Sequence, residues 1–357
     1  MILKLGKIMI NILELESSLG FGGQEHRTQR VINGLDKSKF KVFYGLNPGS
    51  KSFEKQIECE FVKFNLKKSF NIFEILKICK FVKQNNIKII STHSGKDGTI
   101  GALVGKICGV SVVRTRHLQL PISSPIPYNL STKVVGVCNS VCADLIKRGV
   151  KKEKVLKIYT GIDTQKYTPE FKINMKKEFG LSDDVVGICI VAVLRAAKNH
   201  KLLIDAFSEL NLEKSALFIV GDGPQNKNLH EYIKDKKNIF MLGNRTDVSD
   251  FLGSLDICVL PSDMEAIGGA LLEASSCKLA TIGSDVGGLG EAVSDGKSGF
   301  LFENGNKEEL KKVLERLILD ENLRKQMGEF GREYVKETFS IEKMIENTQN
   351  LYMELVK

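Results

Sequence analysis

The chain has 357 residues, 42% hydrophobic and 27% charged, which is core material for two ordinary domains and excludes a disordered chain or a disulfide-stapled miniprotein. Its +9 formal charge is lopsided: residues 1–165 hold 27 Lys and Arg against 12 Asp and Glu, whereas residues 166–357 hold 25 against 31. A basic first half suits a phosphorylated acceptor, an anionic lipid headgroup or simply a solvated surface, whereas a nucleic-acid partner is not expected, since only 7% of residues are aromatic and no nucleic-acid motif occurs.

The N-terminal run Met1–Glu14 mixes Lys4, Lys7 and Glu14 into apolar sequence, so no signal peptide is expected. No stretch of about 18 apolar residues is present to span a bilayer. The eight cysteines form no CxxC pair, and reduced, buried thiols in a cytoplasm are the expectation.

In chain order, Val- and Ile-rich runs predict strands at 7–15, 40–46, 60–64, 87–92, 111–116, 133–138 and 154–158. Helical patterns at 24–35, 68–85, 97–109 and 139–149 separate several of them. An irregular polar stretch follows at 160–184. Strands are then predicted at 185–193, 215–221, 238–242, 256–261, 278–283 and 299–302, with helices at 199–210, 225–236, 246–254 and 268–277. The end, 306–320, 321–339 and 341–356, is helical and highly charged. Strand–helix alternation at this spacing means βαβ units and parallel sheets. The expectation is therefore an α/β chain of two Rossmann-like domains facing across a cleft: 1–165, 166–340, and a C-terminal helix, 341–357, that crosses back to brace the first. Within it, Leu66–Gln84 is helical in period, with Phe70, Phe73, Leu76 and Phe81 among Lys67, Lys68, Lys77, Lys80 and Lys83. It reads either as an ordinary core-facing helix with a lysine-rich outer face or as a basic amphipathic helix for an anionic membrane surface.

Ligands of such sheets bind beyond the carboxyl ends of the strands, so chemistry is sought in the loops 17–23, 91–96, 194–198, 221–224 and 261–269. The richest segment is Leu260-Pro-Ser-Asp-Met-Glu265-Ala-Ile-Gly-Gly-Ala-Leu-Leu-Glu273. A strand running into a glycine-rich helix start would turn the amides of Ile267, Gly268 and Gly269 toward an anion such as a diphosphate. Two carboxylates so spaced can accept hydrogen bonds from sugar hydroxyls, Glu273 near a ribose and Glu265 near the sugar; alternatively they are helix-terminal and surface charges. Arg195 and Lys198 follow a buried strand and can neutralise a diphosphate as it leaves. Ser17-Ser-Leu-Gly-Phe-Gly22-Gly23-Gln24-Glu25 lets backbone approach a phosphate or sugar but is not a dinucleotide fingerprint. Asp285-Val-Gly287-Gly288-Leu-Gly-Glu291 is a further tight loop.

These residues resemble a retaining glycosyltransferase of family 4 with the GT-B arrangement, and the resemblance covers nearly the whole chain. Its marks are Glu265 and Glu273 with seven residues between them, Gly22–Glu25, Thr160–Asp163, Gly221–Pro224 and Gly287-Gly288 before Glu291. The resemblance implies that Arg195 and Lys198 bind the donor diphosphate, Glu273 the ribose and Glu265 the sugar, with the amides of Ile267–Gly269 on the phosphates. Gly22, Gly23, Gly221 and Gly243 belong to the expected donor side, with base selectivity decided near Gly243–Val248. His93, after its strand, is expected to line the catalytic cleft, and Lys96, Arg116 and His117 complete the acceptor side. This chain departs from many relatives at Ala266 and Gly290, and in the short spacing of Arg195 and Lys198. No DxD motif and no zinc-ligand spacing occur, so transfer without a metal or other cofactor is expected. The expected partners are a nucleotide diphosphate sugar and a hydroxyl acceptor in bacterial surface polysaccharide or glycolipid assembly, in the cytoplasm or on the inner face of its membrane. The rivals are another GT-B enzyme, such as a nucleotide-sugar 2-epimerase or a phosphorolytic enzyme, and a non-catalytic nucleotide-sugar-binding protein.

Overall fold

The computed structural model describes residues 9–356; most of the Met1–Glu14 run and the start of the predicted strand 7–15 lie outside the described residues. The chain forms two compact units, residues 1–161 with 342–357, and residues 162–341.

The first unit is a seven-stranded parallel sheet built from β1 (Ile10–Glu16), β2 (Phe40–Leu46), β3 (Glu60–Lys63), β4 (Ile87–Thr92), β5 (Ser111–Arg116), β6 (Lys133–Gly136) and β7 (Val155–Lys157). Its order is β3-β2-β1-β4-β5-β6-β7. The chain winds outward from β1 to β3, then returns to lay β4 against the other side of β1, with Glu14 opposite Ser91. That return makes the β1/β4 junction the topological switch point. One face of the sheet packs Ile12, Val42 and Tyr44 against Met344, Leu351 and Tyr352 of the last helix, Ile341–Glu354. Gln349 of that helix accepts the Asp36 amide at 2.8 Å. The other face packs Leu13, Leu15 and Ile90 against Ile75, Ile78 and Ile100 of the helices Ile72–Gln84 and Gly95–Cys108.

The second unit repeats the plan with six parallel strands: β8 (Val186–Val191), β9 (Ser215–Val220), β10 (Ile239–Gly243), β11 (Ile257–Leu260), β12 (Ala280–Ser284) and β13 (Gly299–Phe302). Their order, β10-β9-β8-β11-β12-β13, puts the switch point between β8 and β11. Ile188, Ile190, Ile219 and Val259 form the centre of its core, covered by Leu203 and Phe207 on one helix and Leu310 and Leu314 on another. A parallel sheet covered on both faces demands continuous apolar strands. β9 obeys, buried at all six positions, whereas β1 (INILELE) does not, because Glu14 and Glu16 are buried within it.

The differences from the predicted elements are local. The helix expected at 68–85 starts at Ile72, because the Asn71 side chain accepts the Glu74 amide and caps it there. The one expected at 246–254 breaks into Val248–Phe251 and a 3-10 turn, Leu252–Ser254. Gly253 presses so closely on Pro169 that a Cβ would lie 2.3 Å from its carbonyl oxygen. The polar stretch 160–184 holds a short helix, Met175–Glu178. Among the described residues, no helix is long and apolar enough to cross a membrane.

Candidate active site

In the second unit the two loops at the switch point are tied together by their charges. Beyond β8, Lys198 ends a 3-10 turn, Ala196–Lys198. Beyond β11, Glu265 sits in the loop that enters the helix Gly269–Ser276. Lys198 Nζ donates to Glu265 Oε1, and both side chains are largely buried. Ser262 Oγ reaches the same oxygen at 3.4 Å, and the Gly288 amide donates to the Glu265 backbone carbonyl at 3.3 Å. The Asp263 amide and side chain bind Ala197 and Asn199 from the opposite loop. The glycine loop 287–288 and the two switch-point loops thus hold one another.

The helix start behind Glu265 is forced by Gly268. Its φ of +68° lies in the left-handed region, and a Cβ there would stand 2.2 Å from the Leu289 side chain. The first amides of a helix have no partner within it, which leaves them for an anion. Glu273 is half-buried on this helix, one turn on. Arg195 is exposed and makes no ion pair among the described residues, so of the two predicted cations only Lys198 is tied to the glutamate loop. His200, beside it, is pushed down to about 4 by burial and by Lys198, which leaves it neutral. Gly221 closes the next loop: at φ +139° a Cβ would lie 2.0 Å from the Ala192 carbonyl oxygen, and its own amide donates to Gly243. An open depression between these loops is lined by Val193, Gly221, Asp222, Asn244 and Arg245. Asp247 and Glu178 hold the Arg245 guanidinium.

In the first unit the switch point carries a different pair. His93 follows β4, is 5% exposed, and its Nε2 lies 2.8 Å from Glu14 Oε2 on β1. Its Nδ1 lies 3.3 Å from His117 Nε2. Tyr352 donates to the other Glu14 oxygen at 3.2 Å. Burial alone would push Glu14 up and His93 down; their mutual hydrogen bond and charge outweigh it, lowering the carboxyl and raising the imidazole. His117 goes the other way, held well below its ordinary value by burial, Arg27 and His93. The raised His93 favours the imidazolium, which donates to Glu14 from Nε2 and to His117 from Nδ1, and the lowered His117 favours the neutral ring that accepts. His93, expected to line the catalytic cleft, has both nitrogens engaged inside its own unit, and the half-buried His117 is the more accessible ring.

Around them, Asp97 gathers the amides of Ser17, His93 and Ser94, fixing the loop 93–96 to the loop after β1. Glu16 accepts from Gln24 at 2.6 Å and from the Ser18 amide, and burial together with Asp97 pushes it up to about 8. Glu25 accepts the Gly22 amide at 2.8 Å, so it shapes the start of the first helix, while Gly22 and Gly23 stay exposed. Lys96 is exposed, and Arg116 donates to the Leu120 carbonyl at 2.7 Å. Arg114 is buried, with its guanidinium 3.6 Å over the Tyr128 ring. Glu14, Glu16, Arg27, Asp97 and Tyr352 were not among the predicted site residues. Two acidic residues inside a central parallel strand were the available signal for the first two. Among the described residues no group of three or more His, Cys, Asp or Glu is placed to hold a metal ion.

Comparison with known proteins bears on the family and the fold. Residues 21–166 match the family model Glycosyltransferase Family 4, and residues 171–334 match Glycosyl transferases group 1. The N-acetyl-alpha-D-glucosaminyl L-malate synthase of Bacillus anthracis is 28% identical over 302 residues, 79% of this chain and 78% of its own. The UDP-Gal:alpha-D-GlcNAc-diphosphoundecaprenol alpha-1,3-galactosyltransferase of Escherichia coli is 28% identical over 307 residues, 79% of each chain. A glycosyltransferase from Rickettsia africae ESF-5 has the same fold, with a TM-score of 0.86 at 23% identity over 98% of this chain and 99% of its own. Anabaena HepE, solved in complex with UDP, also superposes at 0.86, at 20% identity over 97% and 100%. With two parallel-sheet units, and family matches spanning both, the chain is a nucleotide-sugar glycosyltransferase of the GT-B fold and belongs to glycosyltransferase family 4.

Proposed function

We propose that the chain transfers a hexose-type unit from a nucleoside diphosphate sugar to an acceptor hydroxyl with retention of configuration and without a metal, in bacterial surface glycan or glycolipid assembly at the inner face of the cytoplasmic membrane. The observation that carries this reading is the Lys198–Glu265 pair, set beside the Gly268 helix start at the second unit's switch point. A cation and a set of free amides are what a departing diphosphate needs as its charge grows. The carboxylate paired with the cation is suited to a sugar hydroxyl. Diphosphate binding would draw Lys198 from Glu265 and release that carboxylate for the sugar. In the transfer itself the acceptor oxygen bonds to the anomeric carbon while the bond to the phosphate oxygen breaks. The diphosphate keeps the electron pair, and the acceptor proton passes to it on the same face. Glu273 is assigned to the ribose, Arg195 to the diphosphate, the depression near Arg245 to the base, and His93, Lys96, Arg116 and His117 to the acceptor side.

The HepE structures with UDP and with UDP-glucose support a nucleoside diphosphate donor. The relatives' names divide on the acceptor, L-malate in one and a lipid-linked sugar in the other. The lysine surplus of the first half favours the second.

The test is thermal stabilisation by a series of nucleoside diphosphates and nucleotide sugars, followed by transfer with the stabilising donor in the presence of a chelator. A ligand at a hundred times its dissociation constant adds about 2.7 kcal/mol to the unit that binds it. If no nucleotide sugar or diphosphate raises the melting temperature, the reading is wrong; if chelation stops transfer, or the product anomer is inverted, the metal-free or retaining part of it fails.

A further inference from the structure

The helix Ile72–Gln84 has two faces of different character. Ile75, Ile78, Cys79 and Val82 recur at helical spacing and are buried against the sheet. Opposite them the outer stripe should be polar, yet it starts with apolar side chains. Phe73 is 87% exposed, Phe70 75%, Ile72 68% and Leu76 59%. Ile72 and Phe73 stand one turn from Leu76, and Phe70 sits just before the Asn71 cap, so the four cluster at one end of the helix. Isolated exposed apolar residues are ordinary, but a cluster led by two phenylalanines is not.

Lysines surround the cluster. Lys67 and Lys68 precede it, and Lys77, Lys80 and Lys83 continue the stripe, all exposed. From residue 61 to residue 96 the sequence has eight lysines and a single acidic residue, Glu74, which Lys77 neutralises at 3.1 Å. The core-facing role is thus already met by the buried face and by half-buried Phe81, and the outer cluster needs a partner of its own.

We propose that this outer face docks the first unit on an anionic lipid bilayer, with Phe70, Phe73 and Leu76 entering the interface and Lys67, Lys68 and Lys80 meeting the headgroups. Apolar side chains ringed by cations fit a surface that is apolar beneath and negative on top. An acidic protein surface matches the charge but not phenylalanines this exposed, and a second copy of the basic face would repel the first. The inference rests on the proposed placement at the membrane and deepens it by naming the surface.

The experiment is flotation of the full-length protein with vesicles of phosphatidylcholine alone or mixed with phosphatidylglycerol, at low and high salt. Binding is expected only to the anionic vesicles and is lost in high salt. The triple substitution K67A/K68A/K80A should weaken partitioning roughly a hundred-fold, the factor expected of three lysines near an anionic surface. The pair F70S/F73S should weaken it at constant charge. Both variants must keep the wild-type urea midpoint of the first unit, which shows an intact fold there. Equal binding to neutral vesicles, no vesicle binding, or unchanged binding by both variants overturns the proposal. So does a shift from dimer to monomer in F70S/F73S without a change in flotation, which would name a second copy as the occupant. Because flotation requires no turnover, its failure leaves the transferase reading standing, and a failure of donor stabilisation leaves the docking surface standing.

Discussion

Glu16 gives the sharpest test of how the first unit is balanced. Its carboxyl is buried at the end of β1, and burial with the neighbouring Asp97 raises it from 4.5 to about 8. Between those two values the folded state still holds a proton that the unfolded chain has released. Stability therefore falls as pH rises through this window, by ~1.4 kcal/mol for each pH unit. Below the unfolded value nothing is lost, and above about 8 the whole penalty, roughly 3–5 kcal/mol, is present. Glutamine keeps an acceptor oxygen for the Ser18 amide and puts an NH2 donor where the protonated carboxyl has its hydroxyl, so the bond to Gln24 is kept once the Gln24 amide turns its oxygen inward to accept. Glu16→Gln is thus expected to be near neutral at acid pH and to stabilise the unit by roughly 3–5 kcal/mol at mildly alkaline pH. A two-unit chain has no single unfolding free energy. The readout is therefore the urea midpoint followed by the isotope-labelled methyl of Met344, which is packed in this unit's core. An equal effect at both pH values, or a loss of stability on the alkaline side, refutes the reasoning.

Glu14→Gln should act in another window. The lowered Glu14 contributes stability above its unfolded value of 4.5 and loses it as pH falls; the raised His93 contributes below 6.5 and loses it as pH rises. The cost of the substitution, ~3 kcal/mol, should then be largest between these values and shrink on the alkaline side, read from the same methyl. Gly268→Ala puts a methyl group against Leu289 in the left-handed region, and a loss of ~2–4 kcal/mol in the second unit with weakened nucleotide stabilisation is expected by urea titration. Lys198→Ala should lower turnover by about a hundred- to a thousand-fold through loss of charge at the leaving group, measured as product formed at saturating donor. Glu273→Ala should instead weaken donor binding about ten-fold or more in calorimetry; unchanged affinity would remove the ribose assignment.

The sequence alone determined the alternation of elements and most strand positions, because a buried parallel strand must be apolar along its length and says so in β8, β9 and β11. It also marked the glycine loops and the two glutamates, since tight turns and anion-binding helix starts need particular residue types. Tertiary structure decided which of these meet. Lys198 and Glu265 are 67 positions apart and Glu14 and His93 are 79 apart; each pair forms because a chain that reverses its winding lays two distant strands side by side. No local pattern announces such a pairing. The acidic pair in β1 is the instructive case: in the sequence Glu14 and Glu16 are blemishes on an apolar run. In the fold His93 holds one charged, and burial beside Asp97 keeps the other protonated toward neutral pH.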